Sequence, residues 1–428
     1  MLKTTRRHFL AASAVLPGSV SAAIGPTRPE DRVAADLQAY IGFGHKQAGG
    51  AGDMQCGAWL GSELEKLGFR VERQSFSAPF FEPSQCTLSC GDARASLWPQ
   101  PIVVQTGPSG VTGPLVRIDR FGQADASLAG AIALLDLPHG RWSSATAKPI
   151  REPIAAAFKA GARGVVVITN GPTGKIIALN ADGRKPMFDG PVAVLAPDEA
   201  RPFLAAALRH DPATFVLQGA GGRRPAYNLV GRIDRGKPRW LVVSTPRSGW
   251  YGCAGERGPG VAIWLWLARW ASAAVPDHNL AFVCNSGHEY EYLGAAEALK
   301  EIAPKPADTH FWLHLGAGIA ARDWHELPGN WNPLPSVDPQ RFLSLSRPLL
   351  PLARRVFAGH PGYEAPYASD ALAAGELVEI IAAGYQNVAG VFGSHRYHHV
   401  IDDDERCVSA DSVITTAVAF QRFVEQIL

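Results

Sequence analysis

Beyond its N-terminus the sequence has no long apolar run, no excess of either charge and no close cysteine pair. Each absence removes a class of protein. A bilayer-spanning helix needs about 20 consecutive apolar residues, and no stretch supplies them. The chain has 41 basic and 39 acidic residues, a formal net charge of +2. Losing Lys3, Arg6 and Arg7 with a leader leaves 38 basic residues and a net charge of −1. That balance gives nucleic acid or an anionic membrane nothing to bind. The six cysteines, Cys56, Cys86, Cys90, Cys253, Cys284 and Cys407, form no CxxC and no zinc-finger spacing, so none reads as catalytic. No internal repeat stands out. What is present is a chain of 428 residues, 46% hydrophobic and 19% charged, enough for one large core or two ordinary ones. Its 44 glycines and 33 prolines are scattered as turn residues rather than gathered in low-complexity tracts.

The N-terminal "TRRHFLAASAVLPGSVSAA" pairs Arg6 with Arg7, continues in a modest apolar stretch and ends in small residues. This pattern predicts a twin-arginine export signal over 1–23, cleaved near Ala22 or Ala23. The mature chain is then expected to be soluble and periplasmic or secreted. That compartment permits disulfides, and the six cysteines allow one to three, with no pairing fixed by their spacing.

Past the leader, "DRVAADLQAYI" and "MQCGAWLGSELEKLG" have helical spacing and "FRVERQSF" alternates as a strand. From about Phe80 short strands and turns take over, among them "GPLVRI", "GAIALLDL", "RGVVVITN" and "GPVAVLAP". From "AYNLVGRI" onward, apolar strands ("RWLVVSTP", "NLAFVCNS", "HFWLHLGAG", "AGVFGSH") alternate with helices. Continuous apolar runs of this length mark strands buried on both faces of a parallel sheet. The fold class is therefore α/β, a sandwich whose site collects at the strand C-termini. The aromatic helix "IWLWLARW" reads as packing against that sheet.

Polar residues recur at those strand ends. They are Arg247 in "VVSTPRSG", Glu256 in "CAGERGPG", and His288, Glu289 and Glu291 in "CNSGHEYE". His314 follows in "WLHLGAG", then His395, His398 and His399 with Asp402 to Asp404 in "HRYHHVIDDDE". Singly each is an ordinary loop or core residue. Together they offer carboxylate and imidazole, the ligand types zinc takes from proteins.

The mature chain resembles the co-catalytic zinc aminopeptidases. "AGGAGDMQCGAWLGSELEKLGFRVERQSF" is similar to their opening helices and first strand, over 24–79. "LAGAIALLDL" and "AAAFKAGARGVVVITN" resemble an inserted protease-associated domain, over 80–224, and 225–428 follows the order of the catalytic half. The resemblance implies a three-layer sandwich with a mostly parallel central sheet, plus a smaller β-rich insert. Where that family has His-x-Asp, this chain has Pro246-Arg247-Ser248. Its bridging Asp corresponds to Glu256, its Glu-Glu pair to His288-Glu289, and its next ligand to His314. Its final His-x-x-x-Asp fits His398 with Asp402 or His399 with Asp403, the latter keeping the family's phase.

Losing the first His removes one metal's main ligand. The resemblance thus implies one zinc per chain on Glu256, Glu289 and His399, with an open position. His288 then stands in the general base's place; alternatively His288 and His314 are themselves ligands. Arg247 is a candidate anchor for a substrate carboxylate. The implied function is an exported, single-metal hydrolase of peptides or small amides. Two other readings stay open: a glutaminyl cyclase-like aminoacyl transfer, and a non-catalytic relative binding peptides or glycans through the old cleft.

Overall fold

The computed structural model describes residues 29–100, 102–327 and 330–428, so the expected leader over 1–23 lies outside the described residues. Its centre is a mostly parallel run of strands. Trp240–Pro246 lies between Asn279–Asn285 and Thr309–Leu315, parallel to both, and Val388–Gly393 extends the run in parallel beyond Thr309–Leu315. Arg341–Leu345 and the long strand Pro212–Ile233 flank this group antiparallel. Side chains alternate between two apolar layers. Leu241, Val243, Phe282 and Leu313 enter one cluster, and Val242, Val283 and Trp312 enter the other. Burial on both faces is why these strands read as unbroken apolar runs.

Helix Ala254–Ala274 covers one face, with Pro29–Gly42 and Ala410–Glu425 packed on it. Leu293–Glu301 and Glu376–Ala382 contribute to the opposite layer. The architecture is thus the expected three-layer α/β sandwich. In the aromatic helix, Ile263, Trp264, Leu265 and Leu267 are core, and Trp264 Nε1 donates to Val243 O at 3.1 Å. All six cysteines are buried and free. Among the described residues no helix is long and apolar enough to cross a membrane.

Arg70–Cys90 and Pro212–Ile233 form one antiparallel ladder running from Arg70↔Arg232 to Cys90↔Ala213. The expected limits of the insert, residues 80 and 224, fall inside this ladder, where Phe80 pairs with Gly222. Beyond it, Val111–Ile118, Ile132–Asp136, Gly164–Ile168 and Val192–Leu195 pair in parallel. Apolar clusters built from residues between Cys86 and Leu217 cover the two faces of this second group.

The loop from Ser286 to Gly294 is held shut by Asn228, whose Oδ1 accepts from Ser286 N (3.1 Å) and whose Nδ2 donates to Gly294 O (2.8 Å). A Cβ on Gly294 would overlap the Ser286 carbonyl oxygen and crowd Asn228 Oδ1 at 2.8 Å. Both obstacles are fixed, one by the backbone and one by its own hydrogen bonds. Gly294→Ala should therefore cost roughly 3 kcal/mol or more, by analogy with core overpacking, seen as a lower denaturant midpoint. A midpoint equal to wild type would mean the loop is not held shut.

Candidate active site

The strand C-termini open into a pocket of about 180 Å³. His288, Tyr292, His314 and His398 line it beside Phe342, Val391 and Phe392. Its far wall comes from the second strand group, as Ser143 and Asn180. Two bonds tie the walls together: Ala178 N donates to His399 O (3.0 Å), and His399 Nδ1 donates to Ala178 O (2.9 Å).

Fixing the Nδ1 proton of His399 on a carbonyl leaves Nε2 with a free lone pair. That nitrogen faces Glu256 Oε1 at 3.3 Å. The His398 ring stacks on His399, centroids 3.9 Å apart and planes 20° apart. Glu256, His398 and His399, all buried, each present a ligand atom within 4.8 Å of the others. Neither Glu256 oxygen carries a well-aligned hydrogen bond, and His398 Nδ1 has no partner. Asp403 sets Glu256 in place by accepting from Gly255 N (2.6 Å) and Glu256 N (3.1 Å) at the start of the helix. It pairs with His395 (3.2 Å) rather than orienting His399.

Burial opposes ionisation of Glu256, yet the Arg257 guanidinium, 2.6 Å from Oε1, and the two histidines hold its carboxyl well below the usual range. Arg257 was not singled out by sequence, though a charge inside "CAGERGPG" is a signal that could have found it. It is buried, and its charge also disfavours protonation of His288, His314 and His398.

The other expected site residues divide. His288 and His314 both reach the pocket. Glu289 does not join the Glu256 group: Oε1 accepts from Ala48 N (2.6 Å) and Oε2 from Ser248 Oγ (2.8 Å). Ser248, standing where the resembling family has Asp, supplies the hydroxyl that turns Glu289 away. Burial raises the Glu289 carboxyl to about 7. The expectation of a substrate anchor at Arg247 is corrected. Arg247 is wholly buried, with Nε 3.0 Å from Asp53 Oδ1 and Nη2 donating to Tyr227 O at 2.7 Å. Its positive charge is spent on Asp53. Glu291 bonds Ser144 of the second strand group.

Glu376 was missed by sequence. It opens the helix Glu376–Ala382, fully buried, with Oε1 3.1 Å from His288 Nδ1 and Oε2 accepting from Asn285 Nδ2 at 2.9 Å. Acidic residues start helices so commonly that "AAGELVEI" carries no distinguishing signal.

Solved structures of this shape include a zinc aminopeptidase and other peptidases. The chain superposes on the zinc aminopeptidase of Bacillus subtilis with TM-score 0.68 and 17% identity, covering 92% of this chain and 95% of that one. For a peptidase M28 precursor from Shewanella amazonensis the values are 0.69, 17%, 93% and 92%. For the aminopeptidase of Aneurinibacillus sp. strain AM-1 they are 0.64, 18%, 92% and 93%. No protein-family model and no curated protein matches the sequence. The chain has the zinc aminopeptidase fold, and what its site does must be argued from its own residues.

Those residues do not fit a metal pair. Pro246 offers no ligand, Glu289 is tied to Ala48 and Ser248, and His314 meets Ser244 and Glu376. They do fit one ion, since Glu256 Oε1 and His399 Nε2, both acceptors, face each other beside the orphaned His398 Nδ1.

Removing one partner of the buried Asp53–Arg247 pair leaves an uncompensated charge, so Arg247→Met should lose about 3–5 kcal/mol of stability. Asp53→Asn in the same chain should restore part of it. Denaturant titration of both variants checks this, and weakened binding of acidic ligands with stability intact would return Arg247 to the pocket.

Glu289 gives a pH dependence. Its folded value of about 7 lies above the usual 4.5, so its contribution is full below about pH 4.5 and lost as pH rises through about 7. The loss is about 3 kcal/mol. Glu289→Gln should flatten the fall in melting temperature across that window, and an unchanged slope would contradict the assignment.

Proposed function

We propose that the protein hydrolyses neutral amide or peptide bonds with one metal ion, held by Glu256, His398 and His399, and with His288 moving the proton. The observation that carries this reading is the His399–Glu256 contact, two acceptor atoms 3.3 Å apart, with His398 stacked on His399 and lining the pocket. A cation between them would relieve that contact. A zinc ion there would supply Lewis acidity to the reaction.

The rest is the work of the chain. His288, kept neutral by burial and by Arg257, accepts a proton from the attacking water as the water oxygen bonds to the amide carbon. The same imidazolium returns the proton to the leaving nitrogen as the C–N bond breaks. Phe342, Val391 and Phe392 give the pocket an apolar side. No Asp or Glu is among its lining residues, so nothing there holds a free α-ammonium, which favours uncharged or N-blocked substrates. With the leader of Arg6 and Arg7, this is an exported enzyme.

A second reading has its own observation. Arg257, 2.6 Å from Glu256, neutralises that carboxylate without any metal, which suits a non-catalytic cleft that binds peptides.

Elemental analysis decides between them, run beside hydrolysis of N-acyl and free-amino amides. About one zinc per chain is expected, lost in Glu256→Gln and His399→Ala and kept in Glu289→Ala, with N-acyl amides the better substrates. A metal-free wild type that cleaves neither amide would establish the second reading.

A further inference from the structure

Besides His398, two histidines face the pocket, and their buried partners differ in kind. His288 Nδ1 meets the Glu376 carboxylate at 3.1 Å, and a carboxylate only accepts. The Nδ1 of His288 therefore carries the proton, and Nε2 is left as an acceptor. Glu376 cannot swing away, because Asn285 holds its other oxygen at 2.9 Å.

His314 Nδ1 meets the Ser244 hydroxyl at 2.9 Å. That hydroxyl oxygen accepts from Trp312 Nε1 at 2.7 Å, and among the described residues its own hydrogen has no acceptor but His314 Nδ1. Glu376 Oε2 stands farther from His314 Nδ1, at 3.9 Å, beyond hydrogen-bond reach. The Nδ1 of His314 is thus an acceptor, and its proton sits on Nε2. That nitrogen is buried and has no partner. Gly316 passes close to it, where a Cβ would stand 3.5 Å from Nε2 and overlap the Val391 carbonyl oxygen at 2.0 Å.

We propose that Glu376 and Ser244 are positioning residues that lock His288 and His314 in opposite tautomers, so that one pocket receives a proton acceptor from His288 and a hydrogen-bond donor from His314. An amide carbonyl attacked by a water that must lose its proton uses both. His314 Nε2–H bonds the carbonyl oxygen, where negative charge develops, while His288 Nε2 takes the proton. This rests on the amide-hydrolase reading for its kinetic consequence, and not for the tautomers themselves.

Long-range proton–nitrogen correlation NMR of the full chain labelled at histidine nitrogens tests it, with signals assigned through His288→Gln and His314→Gln. The expected wild-type spectrum has His288 unprotonated at Nε2 and His314 unprotonated at Nδ1. Glu376→Gln should move the His288 proton to Nε2, because its amide can donate to Nδ1. Ser244→Ala should release His314 and leave His288 as it was. The same tautomer on both rings in wild type, or a His288 pattern indifferent to Glu376→Gln, overturns the proposal. If the protein cleaves amides, Glu376→Gln should lower kcat by roughly 100-fold or more, with KM and metal content unchanged and Glu376→Asp partly restoring it. If it cleaves none, the hydrolase reading fails and the spectra still decide this one.

Discussion

An ionised carboxylate with no access to water, Glu256, is the constraint on which the site depends. A charge so buried persists only beside a compensating partner. Arg257 supplies one from the next residue, at 2.6 Å, while His399 approaches from another strand end at 3.3 Å. The carboxylate is aimed by the first turn of the helix Ala254–Ala274, whose free N–H groups at Gly255 and Glu256 are taken by Asp403. Helix start, carboxylate and His399 loop are therefore a single unit. A change in any of the three reaches the others through two or three hydrogen bonds.

The segment Pro246-Arg247-Ser248 shows how a strand end can lose one chemistry and acquire a structural role. Ser248 Oγ donates to Glu289 and accepts from Gly287 N at 2.7 Å, knitting two strand ends together. Arg247 turns inward to Asp53, which also accepts from Gly49 N and Ser286 Oγ, each at 2.8 Å. Both residues stiffen the floor of the site without entering it. The polar groups that remain free to act are the histidines on the pocket wall.

What could be read from sequence follows from the range of the interactions involved. The parallel strands were legible because burial on both faces leaves a local mark: all seven residues of Asn279–Asn285 are buried, and the stretch reads as one apolar run. Position at a strand end is also local, so Glu256, His288, His314 and His399 could be named in advance as residues of one region. Direction was not legible. Glu289 turns toward an amide 241 positions away, and His288 takes its partner from 88 positions downstream. Neither partner has a pattern of its own, since one is a backbone N–H and the other an ordinary helix-start glutamate.

The second strand group belongs to the site rather than decorating it, and the backbone shows why. Among the described residues, six non-glycine residues have positive φ, and Tyr251, Cys253, Glu291, Tyr292 and His399 of these lie in the loops at the strand ends. Each such conformation costs of order 1–3 kcal/mol and survives only where its surroundings hold it. For His399, at φ 60°, the restraint is Ala178, which bonds both its carbonyl and its ring. For Glu291, at φ 47°, it is Ser144. The pocket geometry is thus set jointly by the central parallel strands and by two short stretches, around Ser144 and Ala178, of the second strand group. The tautomer of His399, and with it the donor set on Glu256, depends on a carbonyl that the central sheet does not contain.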